Sequence, residues 1–286
     1  MKRTSVLGAA AAPTFGGCGS PNDTWTTFLG IQGAACRTTD AILPRMSKHA
    51  LQLTCLMALA SAALAAQQPA SPRAAAPHDV TGYWVSVVTE DWRWRMTTPP
   101  KGDFISIPLS DEGRKAAFAW DPKTEGSCKA YGAGGLMHIP TRLNISWQSD
   151  DVLKVESDAG QQTRLLRFSP KLAPGPRSLQ GFSVAEWEPL GPGTGRAGGP
   201  PPPRALRVVT TNLLEGWLRK NGVAYSDQTT IVEHWDRVAF PNGDVWLTVS
   251  QYVSDPRYLT GEYTTSMHFK REPDGSKWRP VPCRDL

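Results

Sequence analysis

Thr229-Thr-Ile-Val-Glu-His-Trp-Asp-Arg-Val238, the turn Pro241-Asn-Gly-Asp244 and the run that follows it to Val253 decide the fold of this 286-residue chain. Glu233, Trp235 and Arg237 fall on one side of a two-residue period, and His234 with Asp236 on the other, as in a strand with two unlike faces. Asn242-Gly243 favours the positive φ values of a type I′ turn, so residues 229–238 and 244–253 are predicted to form an antiparallel hairpin.

Runs of similar character recur on both sides of this hairpin. Residues 80–88, 103–108, 142–148, 152–157, 161–168, 178–188, 204–212 and 263–271 are rich in β-branched and aromatic side chains. One helix interrupts them near the start. Ser110 offers an N-cap, Asp111 and Glu112 suit a first turn, and Asp121-Pro122 ends the segment after Trp120. Roughly ten strands at short intervals with one short N-terminal helix predict an all-β fold, an antiparallel β-barrel. Closure removes the unpaired edges that so many strands would leave. Residues 190–203, dominated by Gly and Pro, cannot join a sheet and are expected to be a surface loop. Trp217, Leu218 and Tyr225 bracket Arg219-Lys-Asn-Gly222, which predicts a short helical piece or lid at a barrel end.

The chain upstream of this domain has a different character. Met46-Ser-Lys-His49 and the apolar run from Ala50 to Ala63-Leu-Ala65 have the basic head, apolar middle and small-residue cut site of a secretory signal peptide. Residues 1–45 then read as an upstream mis-start or disordered segment, 46–65 as the signal, 66–79 as a flexible leader and 80–286 as one domain. The apolar run is too short and too interrupted for a membrane anchor, so no stable insertion is expected after cleavage. The chain carries 31 Lys and Arg against 26 Asp and Glu. Cleavage removes Lys2, Arg3, Arg37, Arg45 and Lys48 with Asp23 and Asp40, leaving 26 against 24. A near-neutral domain gives no reason to propose nucleic acid or an anionic membrane as partner. Of five cysteines only Cys128 and Cys283 remain, and an oxidising periplasm or exterior predicts a disulfide between them.

Candidate site residues are aromatic and charged. Ten of eleven tryptophans lie beyond residue 65. Most fill a core, but Trp187 and Trp235 are also candidates for a cavity wall. In Glu90-Asp-Trp-Arg-Trp-Arg95, strand alternation puts Trp92 and Trp94 on one face, able to line a cavity mouth. Glu233 and Arg237 share a face, so an inward orientation would bring a carboxylate and a guanidinium beside an indole. His268 shares parity with Thr264 and Ser266, and His138 lies near Tyr131 and Met137. Gly181-Phe-Ser-Val-Ala185 lacks the second glycine of a nucleophile elbow. No His-x-His, His-Glu-x-x-His or phosphate-cradling glycine loop occurs, so neither metal nor cofactor is indicated.

Several segments carry a likeness. They are Cys128-Lys-Ala-Tyr-Gly132, Gly181-Phe-Ser-Val-Ala-Glu-Trp-Glu188, Leu206-Arg-Val-Val-Thr-Thr-Asn212 and Gly216-Trp-Leu-Arg-Lys-Asn-Gly222. Tyr225-Ser226, Val232-Glu233 with Arg237, and Asp255-Pro-Arg-Tyr-Leu-Thr260 complete the set. In these the chain resembles a family of exported bacterial β-rich proteins, lipocalin-like (calycin-type) in outline, that brings no established reaction. The resemblance implies a secreted barrel with an internal cavity. Relatives continue Trp-Glu-Gly-Asp where this chain has Trp187-Glu188-Pro189 and the Gly/Pro-rich insertion.

Two functions follow as expectations. One is a carrier of a small hydrophobic or aromatic molecule, with Trp187, Trp235, Glu233, Arg237, Trp92 and Trp94 as binding residues. The other is a barrel-type isomerase, lyase or hydratase. There Glu233 is the acid/base, Arg237 holds an anionic group and His268 assists proton transfer.

Overall fold

Alternating apolar side chains roll the chain into a tube whose inner face is the core. A computed structural model describes residues 70–123, 128–169, 171–189 and 204–283. The upstream segment, the expected signal peptide at 46–65 and the expected 190–203 loop lie outside the described residues. The strands are β1 (Gly82–Ser86), β2 (Arg142–Trp147), β3 (Val152–Ser157), β4 (Ala159–Gly160), β5 (Thr163–Arg167), β6 (Phe182–Pro189) and β7 (Arg204–Thr211). They continue as β8 (Gly216–Arg219), β9 (Val223–Tyr225), β10 (Thr230–Ala239), β11 (Val245–Ser254), β12 (Tyr263–Arg271) and β13 (Val281–Pro282). Two helices, α1 (Trp92–Arg95) and α2 (Asp111–Ala119), and 3-10 turns at Lys129–Tyr131 and Leu136–His138 complete the described elements.

A closed barrel runs β1-β12-β11-β10-β7-β6-β5-β3-β2 and back to β1. Its neighbours are antiparallel except β5 and β6, which run parallel over Leu166↔Ser183 and Arg167↔Val184. The all-β barrel therefore stands as read, but its sheet is mixed rather than wholly antiparallel. A return through residues 168–181 brings β6 alongside β5 in the same direction, which no hairpin could do. The Pro241–Asp244 turn also differs from expectation. Gly243 alone takes positive φ, 86°, and its amide bonds Phe240 O at 3.0 Å. Pro241 fixes negative φ at the first central position, which excludes type I′ and gives a three-residue loop ending in a left-handed glycine. Residues 103–108 form turns, not a strand.

Inward positions of β2, β3, β5, β7, β10, β11 and β12 supply a continuous apolar core that includes Leu143, Leu153, Leu166, Leu206, Trp235, Val249 and Phe269. Trp147, Phe168 and Trp187 stack across one end of the tube, with centroids 5.5 and 5.6 Å apart. The leader straps this end shut, since Trp187 Nε1 donates to Pro72 O at 2.8 Å. At the other end the 3-10 turn Leu136–His138 and the β8–β9 hairpin form the cap. The predicted helical lid over residues 216–226 is thus a hairpin. A Cβ at Gly134 would meet Tyr225 Cε1 at 2.7 Å and one at Gly216 would overlap Tyr225 Cζ and Oη, so glycine is required for this close approach. Helix α2 starts as predicted, with Ser110 Oγ accepting from Gly113 N at 3.0 Å.

Cys128 and Cys283 are disulfide-bonded, their Cα atoms 5.6 Å apart. Beside the bond, β13 pairs in parallel with β4 and holds the C-terminal segment on the barrel. Asp255 fastens the cap. Its carboxylate accepts from Ser226 Oγ at 3.0 Å, Thr229 Oγ1 at 2.7 Å and the amides of Arg257 and Tyr258. Burial alone would raise its pKa. The hydrogen bonds from Ser226 N, Thr229, Tyr258 N and Arg257 N outweigh that, and the net shift is downward from 3.8. A depressed carboxylate stabilises the fold above its free pKa, and that stability is lost as pH falls through the folded value. Asp255→Ala strands these donors and should cost about 2–3 kcal/mol at pH 7. Urea unfolding at pH 7 and pH 3 checks this: the difference from the parent must shrink at the lower pH.

Candidate functional site

Within the barrel, period two brings polar side chains from five strands together below the cap. Glu233 on β10 is fully buried, in phase with Ile231 and Trp235. Arg164 on β5, in phase with Leu166, is 4% exposed and binds both carboxylate oxygens, at 3.1 and 2.6 Å. Arg164 also donates to Ser183 Oγ on β6 at 2.9 Å and to Thr210 Oγ1 on β7 at 2.5 Å. Gln251 lies opposite Glu233 in the β10–β11 register and donates to it at 3.2 Å, while Trp235 Nε1 approaches the other oxygen at 3.4 Å. Both carboxylate oxygens and all three guanidinium nitrogens are thereby engaged, the condition for a buried ion pair to be tolerated.

Glu233 and Trp235 therefore face inward, but they do not wall a ligand chamber. The void nearest them holds about 10 Å³ between Arg164, Met137, Leu143 and Val155, space for about one water. Arg237 is not the partner of Glu233. Four residues along a strand span about 13 Å, so it lies toward the strapped end. There the Arg237 guanidinium acts on His78, whose pKa is lowered by burial first and by Arg237 second. Trp187 is likewise a plug, packed on Phe168 and His78. His268 is outward, because Met267 and Phe269 take the inward phase of β12, and it hydrogen-bonds Glu90 Oε2 on the barrel surface. Trp92 and Trp94 sit on the helical turn α1 rather than a strand. This turn leaves Trp92 62% exposed and buries Arg95. Four residues carry too little periodicity to separate helix from strand.

A cleft of about 40 Å³ opens instead beneath the cap, between α1, the 3-10 turns and the β8–β9 hairpin. Trp94, Trp217 and Tyr263 give it aromatic walls, and Arg95, Arg219 and Lys220 line it with a single carboxylate, Asp91. The Arg219 guanidinium lies 4.8 Å from the Trp94 ring centroid and donates to Ile105 O at 2.8 Å. Arg95 is anchored by Val87 O at 2.9 Å and Met137 O at 3.1 Å. Two buried donors on these cleft residues, Arg95 Nε and Trp94 Nε1, have no hydrogen-bond partner. His138 also lines the cleft, with Nε2 3.4 Å from Gln251 Oε1. Burial, then Arg95, pushes its pKa down to about 4 against the raising effect of Gln251, so the ring is neutral at pH 7. The side chains His138, Gln251, Glu233 and Arg164 thus run as a chain from the cleft into the barrel.

Sequence reading missed Arg164, Gln251 and Arg95. Arg164 and Gln251 had a legible signal, since each is a lone polar residue in phase with apolar inward neighbours on its strand. Among the described residues, no group of three His, Cys, Asp or Glu side chains is placed to hold a metal ion, and no helix is long and apolar enough to cross a membrane. Comparison with models of protein families, with curated proteins and with solved structures finds no match to this chain.

Proposed function

We propose that the chain is an exported small-molecule-binding protein whose ligand places a compact, acceptor-bearing head group in the cleft beneath the cap. The observation that carries this reading is the pair of buried donors without partners, Trp94 Nε1 and Arg95 Nε, on residues that line the cleft. Native folds leave few such groups unsatisfied, and an acceptor brought by a ligand would satisfy them. Arg95 and Arg219 supply positive potential for an anionic head group. A cleft of this size takes a carboxylate or a few waters but not a fused ring, so the body lies outside it. Export to the periplasm or beyond is supported by the signal pattern at 46–65 and by the Cys128–Cys283 disulfide, a bond that persists in oxidising compartments. The lipocalin-like kinship rests on the quoted motifs and on a closed barrel, from which the parallel β5–β6 pair departs.

Calorimetric titration with benzoate tests the site. Trp94→Phe, which removes the indole donor and keeps an aromatic ring, is expected to weaken binding about tenfold. Trp92→Phe should leave it unchanged. Absence of binding at millimolar benzoate, or equal affinity in all three proteins, overturns the assignment.

An isomerase, lyase or hydratase is the second reading. Glu233 lines neither the cleft, the adjoining groove nor the 10 Å³ void, so acid/base chemistry passes to His138. The observation that favours this reading is the His138 imidazole at the cleft wall, with Nε2 3.4 Å from Gln251 Oε1 and so linked to the buried Glu233–Arg164 pair.

A further inference from the structure

Next to the cleft lies a larger groove of about 630 Å³, within the range of small-molecule sites. Its walls are Pro99, Pro100, Pro122, Trp120 and Trp217, with Lys101 and Asp121 at its margin. Trp120 and Trp217 meet edge to face, centroids 5.8 Å apart, and form an aromatic corner. Trp217 and Lys220 line both the groove and the cleft, so the two spaces adjoin there.

Lys220 is the unusual member of this junction. It is half-buried, and no hydrogen bond or ion pair engages its ammonium among the described residues. Burial lowers its pKa. Asp121 lines the groove with it and accepts from the Lys123 amide at 2.9 Å, and Asp91 lines the cleft with it. A partly desolvated cation beside an apolar groove favours an anion brought from outside. The flat apolar groove beside it, built of rigid proline and indole rings, favours a planar or extended hydrocarbon body. Together they define the two ends of one ligand.

We propose that the ligand is an amphiphilic monoanion, an aryl or alkyl carboxylate or sulfonate, whose charged head meets Lys220 at the cleft–groove junction while its apolar body lies along Pro100, Pro122, Trp120 and Trp217. This rests on the cleft reading above and adds the class of ligand and the path of its body. The groove is formed by the loops and hairpin outside the barrel, so the site is independent of the tube's interior.

Three probes separate the terms: benzoate, which reaches only the cleft; biphenyl-4-carboxylate, which extends into the groove; and biphenyl-4-carboxamide, which has the same shape without charge. With the full-length mature protein, biphenyl-4-carboxylate is expected to bind at least tenfold more tightly than benzoate and tenfold more tightly than the amide. Lys220→Gln should weaken the biphenyl acid about tenfold and abolish the acid–amide difference, while Lys220→Arg restores most of it. Melting temperature verifies that each variant is folded, and the acid–amide comparison on the parent protein needs no variant at all. If benzoate binds in a Trp94-dependent way but the biphenyl acid gains nothing and Lys220→Gln changes nothing, the groove proposal falls and the cleft reading stands. If none of the probes binds, both fall together.

Discussion

Arg164→Met should destabilise the fold by about 3–5 kcal/mol, because it leaves the Glu233 carboxylate buried with no cation. The guanidinium supplies two of the four donors that reach Glu233, and Gln251 and Trp235, at 3.2 and 3.4 Å, cannot replace its charge. The loss is of a different kind from a cavity. Methionine fills much of the vacated volume, so the cost comes from an unpaired charge in a low-dielectric interior. A double variant, Arg164→Met with Glu233→Leu, should therefore recover most of the stability. In it Ser183 and Thr210 still bond each other at 2.8 Å, and Gln251 keeps Ala133 O at 3.3 Å. Urea unfolding followed by tryptophan fluorescence measures both variants. A single variant within about 1 kcal/mol of the parent would show that the pair contributes nothing specific.

Opening the Cys128–Cys283 bond is the second large effect. The bond joins residues 155 apart in sequence, and the chain-entropy relation assigns a loop of that length about 5 kcal/mol. Without it, β13 is held to β4 by only Val281↔Ala159 and Pro282↔Gly160. The segment after β12 would then rest on local contacts such as the Tyr83–Trp278 ring pair, centroids 5.9 Å apart, and the Val281 N bond to Asp158 O at 2.8 Å. Cys128→Ser with Cys283→Ser, and the parent in reductant, should agree in denaturation midpoint and lie well below the oxidised parent. A shift worth under about 1.5 kcal/mol would mean that loop closure in the unfolded chain is not the source of stability.

The alternation of β10, β11 and β12 was enough to read the barrel from sequence, because buried strands with one solvated face carry a strict period. It put Glu233 on the face of Trp235 but left open whether that face turned inward, which the buried Ile231 and Trp235 of β10 decide in the structure. What it could not give was the partner. Arg237 shares the phase of Glu233 but is separated from it along the strand, whereas Arg164 is 69 residues away and meets it only because β5 and β10 face each other across the tube. His268 could have been placed correctly, since Met267 and Phe269 mark the inward phase on either side. The cleft was beyond reach of periodicity. Its residues come from a four-residue helix, two 3-10 turns and a hairpin that begins at Gly216 and turns at Gly222, all fixed by tertiary packing rather than local preference.

The parallel join between β5 and β6 has a consequence for how the wall is held. Two register pairs hold it, fewer than at any other junction around the circumference. From the inside, Arg164 leaves β5 and grips Ser183, Thr210 and Glu233 on the three strands beyond that line. The cation acts as a rivet across the thinnest seam, tying β5 from within to the three strands on its far side.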